Sequence, residues 1–290
     1  MKRLGCKINA KLNLSLNVFP KREDGFHPVE SVVASLNISD VVILSQRSDR
    51  RVFVNMNTHK ITEKNTALRV AKLMVRTYDL PGVDIFLHKT IPVMGGLGGS
   101  SADAAGTMAA LARMYRLPWN ETFYSIANQI GSDICYMLKG GFATLSGRGE
   151  KVEPFPADVT LPLVMVKPSK GLSSARVYEQ FDAMETPPVL SDCSALRQAL
   201  QAGDMQGIAE NIGNSLQDSA YVLYPQLCTS IGHLQRLPVR KVWMTGSGSC
   251  LFLLCYSVDQ SKEIVKRLRK FGIYAKYCRT EQNGLIYLEE

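Results

Sequence analysis

Ile8, Ala10, Leu12, Leu14, Leu16 and Val18 alternate with Lys11, Asn13, Ser15 and Asn17 near the start of the chain. That two-residue period is the signature of a strand with one apolar and one polar face. On pattern alone the polar face is expected to meet water. Residues 19–27, FPKREDGFH, form a turn region centred on Asp24-Gly25, and residues 29–36 and 41–44 continue as strands. Residues 83–87 alternate again. Ala105, Met108, Ala109, Ala112 and Tyr115 then recur at helical spacing, and residues 119–129 predict a helix with Phe123, Ile126, Ala127 and Ile130 on one face. A strand over 159–167 is expected to open a second domain, giving a division at 1–158 and 159–290. Helices are expected over 171–183 (ended by Pro187-Pro188), 194–202, 205–220 and 224–237. The chain closes with a glycine turn after Val242-Trp243-Met244, an amphipathic basic helix over 260–271, and short strands over 273–278 and 285–288.

Between the strand at 83–87 and the helix that follows stand Gly95, Gly96, Gly98, Gly99, Ser100 and Ser101. Glycines allow positive φ and close backbone approach to a ligand, and the free N–H groups of the next helix favour a bound anion. The plainer alternative is a tight turn in which Ser100 or Ser101 caps a helix that carries Asp103 in its first turn. Four glycines in five residues favour the phosphate cradle. It is not a Walker loop, because no G-x-x-x-x-G-K-[ST] is present. A dinucleotide fingerprint would lose its last glycine and its acidic partner, and the hydrolase elbow G-x-S-x-G is missing here.

Composition narrows the class. A hydrophobic content of 46% with 21% charged residues describes a globular chain with ample core material. Apolar runs such as residues 250–256 are too short to cross a bilayer, and Met1-Lys2-Arg3 leads into no secretory or transit pattern. Seven cysteines without a C-x-x-C pair read as the reduced thiols of a cytoplasmic protein and offer no structural zinc site. The formal charge of +8 is dispersed among 26 acids. It fits an anionic small substrate or a solvated surface as well as it fits nucleic acid.

The segment PVMGGLGGSSADAA resembles the second motif of the GHMP kinase superfamily. Further matches follow in that family's order from about residue 8 to 254: AKLNLSLNV with REDGFHPVESVV, residues 63–75, Lys89-Thr90-Ile91-Pro92, Ile130-Gly131-Ser132-Asp133-Ile134, GGFATLSGRGEKVEPFP, and residues 244–252. The resemblance implies an α+β, two-domain GHMP kinase fold, with an N-terminal domain like ribosomal protein S5 domain 2 and a ferredoxin-like C-terminal domain. It implies a kinase using ATP and Mg²⁺, with Gly95, Gly96, Leu97, Gly98, Gly99, Ser100 and Ser101 around the phosphates and Asn65 near the adenosine. Lys89, on the approach to that loop, is a further implied phosphate contact, and Ser100 or Ser101 is the candidate metal contact. Asp133 would take the proton of the acceptor hydroxyl, while Lys11 places a cation beside it.

The DGFH segment is similar to the branch of the superfamily that phosphorylates a cytidine-diphosphate-linked erythritol at its 2-hydroxyl, on the non-mevalonate route to isoprenoids. Asn13, Phe26, His27, Tyr178, Gly246 and Gly248 are the implied substrate contacts. For Tyr178 a place in a helix core is an equal reading. The implied partner is a small cytidine-diphosphate substrate, with no nucleic acid or membrane, and the chain is expected to be a monomer or homodimer. Two departures stand out. Ser100 and Ala102 occupy positions where the branch has a glycine and a serine, and Ile134-Cys135 follows Asp133 where it has Val-Pro. Another GHMP acceptor, a weakly active paralogue, and a non-catalytic nucleotide- or RNA-binding protein remain the alternatives at this stage.

Overall fold

The structure, a computed structural model, describes residues 2–58, 62–186 and 188–288. Pro187, expected to end a helix, lies outside them. The first strand divides at Leu14 into β1 (Arg3–Asn13) and β2 (Ser15–Val18), and the next two expected strands fuse into β3 (Val29–Gln46). There follow β4 (Val52–Met56), α1 (Thr66–Thr77), β5 (Val83–His88), α2 (Gly99–Tyr115), α3 (Glu121–Ile130), α4 (Ile134–Lys139), β6 (Ala143–Ser146) and β7 (Lys151–Pro154). The second half contains β8 (Pro162–Val166), α5 (Ser174–Asp182), α6 (Cys193–Ala202), α7 (Met205–Asn211), β9 (Gly213–Asn214), α8 (Gln217–Leu223) and α9 (Pro225–Leu234). It ends with β10 (Lys241–Met244), β11 (Leu251–Leu254), α10 (Val258–Lys270), β12 (Ala275–Glu281) and β13 (Leu285–Leu288).

β3 is the spine. It pairs antiparallel with β1, β5, β6, β2 and β12 along its length. Beyond β12 the order runs β8, β11, β10. The antiparallel set β10-β11-β8-β12 therefore has the strand order of a ferredoxin-like unit, and β12 joins it to β3. The last strand, β13, returns to pair with β1, Gly5 opposite Leu288. α2 lies against β1 and β3, buried nearly all round as its alanine-rich sequence allows. At Gly106 a Cβ would sit 2.6 Å from Ile8 and 2.8 Å from Val42, so helix and sheet meet there backbone to side chain. A second apolar cluster joins Leu16, Val164, Val177, Leu227, Leu253 and Leu268.

Two expectations are overturned. The polar face of the first strand does not meet bulk water: Lys11, Asn13, Ser15 and Asn17 are all buried. The later half of the chain folds over it. Asn17 donates to the Ser191 carbonyl at 2.8 Å, Ser15 meets Cys193 at 3.2 Å, and the Trp243 indole donates to the Asn13 carbonyl at 3.0 Å. The helix expected over 205–220 also breaks. Gly213–Asn214 pairs in parallel with Ser15 and Leu16, and the Ser215 hydroxyl donates to the Leu16 carbonyl at 3.0 Å while accepting from the Val18 N–H at 2.8 Å. Side-chain bonds to backbone outcompete helical periodicity there.

Candidate active site

The glycine loop is shaped by another loop. Gly96 and Gly98 hold φ values of 77° and 70°, where a side chain is strained. A Cβ on Gly96 would collide with the Thr245 carbonyl, and one on Gly246 would lie 2.7 Å from the Gly96 carbonyl. The two glycine turns thus interleave backbone against backbone. α2 then begins with Gly98 in the left-handed region at its N-cap and no side-chain cap. The serine-cap alternative fails, because Ser100 and Ser101 already lie inside the first turn. Asp103 lies just past it.

Lys11 reaches this loop through a break in register. Pairing of β1 with β3 shifts between Asn9 and Lys11, and the freed Lys11 N–H donates to the Leu97 carbonyl at 3.1 Å. The break turns the strand end toward the loop. The Lys11 stem then runs beside Gly98, whose Cβ would stand 3.1 Å from it. Its ammonium lies 2.9 Å from an Asp133 carboxylate oxygen, with the side chains 11% and 30% exposed. Asp133 occupies the N-cap position of α4 without making a capping bond. Its carboxylate is spent on Lys11. Both residues open onto a cleft of about 730 Å³ that the glycine loop also lines.

The family models for GHMP kinases match on both sides of this cleft, the N-terminal domain over residues 65–146 and the C-terminal domain over residues 196–273. A Bacillus subtilis protein named 4-diphosphocytidyl-2-C-methyl-D-erythritol kinase is 32% identical over 96% of this chain and 98% of its own length. The Bacillus licheniformis protein of that name is 33% identical over the same shares. The chain belongs to the GHMP kinases. Among solved structures, a 4-(cytidine 5'-diphospho)-2C-methyl-D-erythritol kinase superposes with a TM-score of 0.80 at 29% identity, covering 96% of this chain and 99% of that one. The homoserine kinase of Cytophaga hutchinsonii gives 0.77 at 16% identity, over 99% and 98%, and shares the fold. The protein is therefore a small-molecule kinase of a family that uses ATP as phosphate donor.

Within this GHMP kinase the cleft brings together Lys11, Asn13, Asn65, Lys89, Gly95, Gly96, Leu97, Gly98, Gly99, Ser100, Ser101, Asp133, Tyr178 and Gly246. Lys89, Gly248, Phe26 and His27 stand otherwise than expected. Lys89 offers no free cation, because its ammonium bonds Asp40, Asp103 and the Gly99 carbonyl together. Asn65 caps α1, accepting from the Leu68 N–H at 2.9 Å, which leaves its amide nitrogen for the cleft. Gly248 does not line the cleft; its φ of 79° and its N–H bond to the Thr245 carbonyl, 2.9 Å, serve the turn itself. Phe26 and His27 stand outside the cleft lining as well. The His27 ring is tied at Nδ1 to the Phe19 carbonyl, 2.8 Å, and faces Asp182 through Nε2 at 3.1 Å. It stacks at 5.2 Å, tilted, on Tyr178. Burial raises the Tyr178 hydroxyl's pKa to about 12, with the Asp133 charge adding to the effect.

Asn13 gives its amide nitrogen to Ser31 at 2.8 Å, and its buried oxygen has no partner among the described residues. Cys135, at one of the two departures from the family pattern, bonds Asn128 at 3.1 Å and ties α4 to α3. Sequence reading missed Arg148, which lines the cleft with its guanidinium 4.6 Å over the Phe26 ring. Its signal was present in the Gly147-Arg148-Gly149 run, where two positive-φ glycines carry one arginine out of a hairpin. For Mg²⁺ the wall supplies oxygen donors, the hydroxyls of Ser100 and Ser101, and no cluster of three acidic, His or Cys ligands among the described residues. That donor set suits a hard cation held chiefly by substrate phosphates. No helix among the described residues is long and apolar enough to cross a membrane.

Proposed function

We propose that this kinase transfers the γ-phosphoryl group of ATP to the 2-hydroxyl of 4-diphosphocytidyl-2-C-methyl-D-erythritol, on the non-mevalonate route to isoprenoids. The observation that carries the reading is the 2.9 Å Lys11–Asp133 pair beside the glycine loop. The names of the Bacillus relatives point to the acceptor.

In this reading the N–H groups of the loop between Gly95 and Ser101 hold the ATP phosphates, and the amide of Asn65 lies toward the adenosine. Asp133 accepts the proton of the acceptor hydroxyl as its oxygen bonds to the γ-phosphorus. The bond from that phosphorus to the bridging oxygen then breaks, and ADP leaves. Lys11 keeps a positive charge beside the oxygen that loses its proton. A positioned base of this kind contributes about 10² to 10⁴ in rate. Ser100 or Ser101 would hold Mg²⁺, which neutralises charge on the transferring phosphoryl group. Asn13, with its open oxygen, and Tyr178 contact the acceptor, and Gly246 borders it. The cytidine end lies toward Phe26, whose exposed ring and Arg148 neighbour offer an aromatic and cationic surface. His27 acts there by holding that turn in place. We further propose the two-domain division at 1–158 and 159–290, a cytoplasmic location, and a monomer or homodimer.

The test is an acceptor panel with purified protein, ATP and Mg²⁺. Turnover with the cytidyl erythritol and none with homoserine or mevalonate is expected. Turnover confined to either of the latter would refute the acceptor and keep the kinase.

A further inference from the structure

Asp40 lies within β3 with its carboxylate fully buried, and nothing in the phosphoryl transfer described above uses it. One oxygen accepts the N–H groups of Thr90 at 2.6 Å and Ile91 at 2.8 Å. The other meets the Lys89 ammonium. That ammonium also donates to the Gly99 carbonyl at 3.2 Å and to Asp103 at 2.6 Å. Thr90 and Ile91 lead directly into the glycine loop, and Gly99 and Asp103 stand where it becomes α2. One end of the loop is therefore fastened directly to a buried carboxylate, and the other to the same carboxylate through one buried ammonium.

This is a costly way to gain stability. Two carboxylates share a single cation in the protein interior, where replacing an ion cluster by apolar side chains is often neutral or stabilising. The second Asp103 oxygen is buried without a partner among the described residues. Burial, with the neighbouring Asp40 charge adding to it, raises the Asp103 carboxyl. What the cluster does supply is geometry. Hydrogen bonds from a preset backbone hold a ligand with little reorganisation, and a cradle of glycines has no side chains of its own to fix its curvature.

We propose that Asp40 is a positioning residue for the phosphate donor, holding the two ends of the glycine loop at a fixed separation through Lys89. The proposal rests on the reading of that loop as the ATP phosphate site. Asp40→Asn keeps an oxygen for the two N–H groups but places an amide, not a carboxylate, against Lys89. The triple variant Asp40→Asn, Lys89→Met and Asp103→Leu leaves no charge buried in the cluster and is expected to fold even where Asp40→Asn alone does not. Each full-length protein is titrated with ATP in EDTA, so that metal binding does not enter, and the acceptor KM is measured separately. The expected result is an ATP Kd raised at least about tenfold in either variant, with the acceptor KM within about twofold of wild type. An ATP Kd within about twofold in a folded variant overturns the role of Asp40, as does a parallel rise in both substrates' constants. Wild-type protein that fails to bind ATP overturns the phosphate reading and this proposal with it.

Discussion

Asp133→Asn separates catalysis from stability in a way the geometry makes quantitative. The asparagine keeps an oxygen for Lys11, 2.9 Å away, but it is not a base. Losing a positioned general base costs about 10² to 10⁴ in rate, or about 3–6 kcal/mol of barrier at about 1.4 kcal/mol per decade. The stability term is smaller. With the Asp133 side chain 30% exposed and the Lys11 side chain 11% exposed, solvent screens the pair toward the surface range of about 0–1 kcal/mol. In a chain of this size that shifts Tm by about 2–4 °C at most. ATP binding is expected to stay within about twofold, because the loop backbone and its fastening to Asp40 are untouched. The assay is coupled ADP release at saturating ATP and acceptor, with calorimetry and nucleotide titration on the same preparation. A kcat within about fivefold of wild type would refute Asp133 as the base. Loss of ATP binding in step with kcat would show that the residue holds the site together instead.

Gly96→Ala forces a Cβ at φ 77° against the Thr245 carbonyl, so it is expected to weaken ATP binding and lower Tm together; unchanged values of both would show that the two glycine turns are not locked to each other. Burial and the Asp40 charge raise the Asp103 carboxyl from 3.8 to about 7, so between those values the folded state binds more protons than the unfolded state and stability falls as pH rises. The Tm of wild type minus that of Asp103→Asn should therefore decrease with pH across that window, and a flat difference would contradict the raised carboxyl. Cys228 is exposed and the other six cysteines are buried, with burial pushing the Cys6 and Cys250 thiols up to about 12. One thiol should react with a disulfide reagent in the native protein and seven after denaturation, and more than one fast native thiol would contradict that burial.

Much of the site was legible because its chemistry needs unusual residues at fixed places. A run of glycines before a helix, a lysine inside an apolar strand and an aspartate after Gly131-Ser132 are each visible without coordinates. What the sequence hid is what lies between segments distant in the chain. The polar face of β1 and β2 looked solvated because alternation reports two faces and says nothing of what covers them; here residues near 191, 193 and 243 cover it. The resemblance offered Lys89 to the phosphates, and the two carboxylates that occupy it instead come from β3 and α2, 49 and 14 residues away. The break at Gly213–Asn214 escaped notice for the same reason, since its strand partner is Ser15 and Leu16. Gly248 reads like a ligand contact until its positive φ and its bond to the Thr245 carbonyl place it within its own turn. Local pattern fixes elements well and their neighbours poorly.

The most direct test of the central claim follows the phosphoryl group itself. Purified protein is incubated with ATP, Mg²⁺ and the cytidine-diphosphate-linked erythritol, and phosphorus NMR records the products. A new phosphate monoester on the acceptor, formed in equal amount with ADP and not formed by Asp133→Asn over the same time, is the expected result. ADP released with free phosphate and an unmodified acceptor, or no ADP at all, would contradict it.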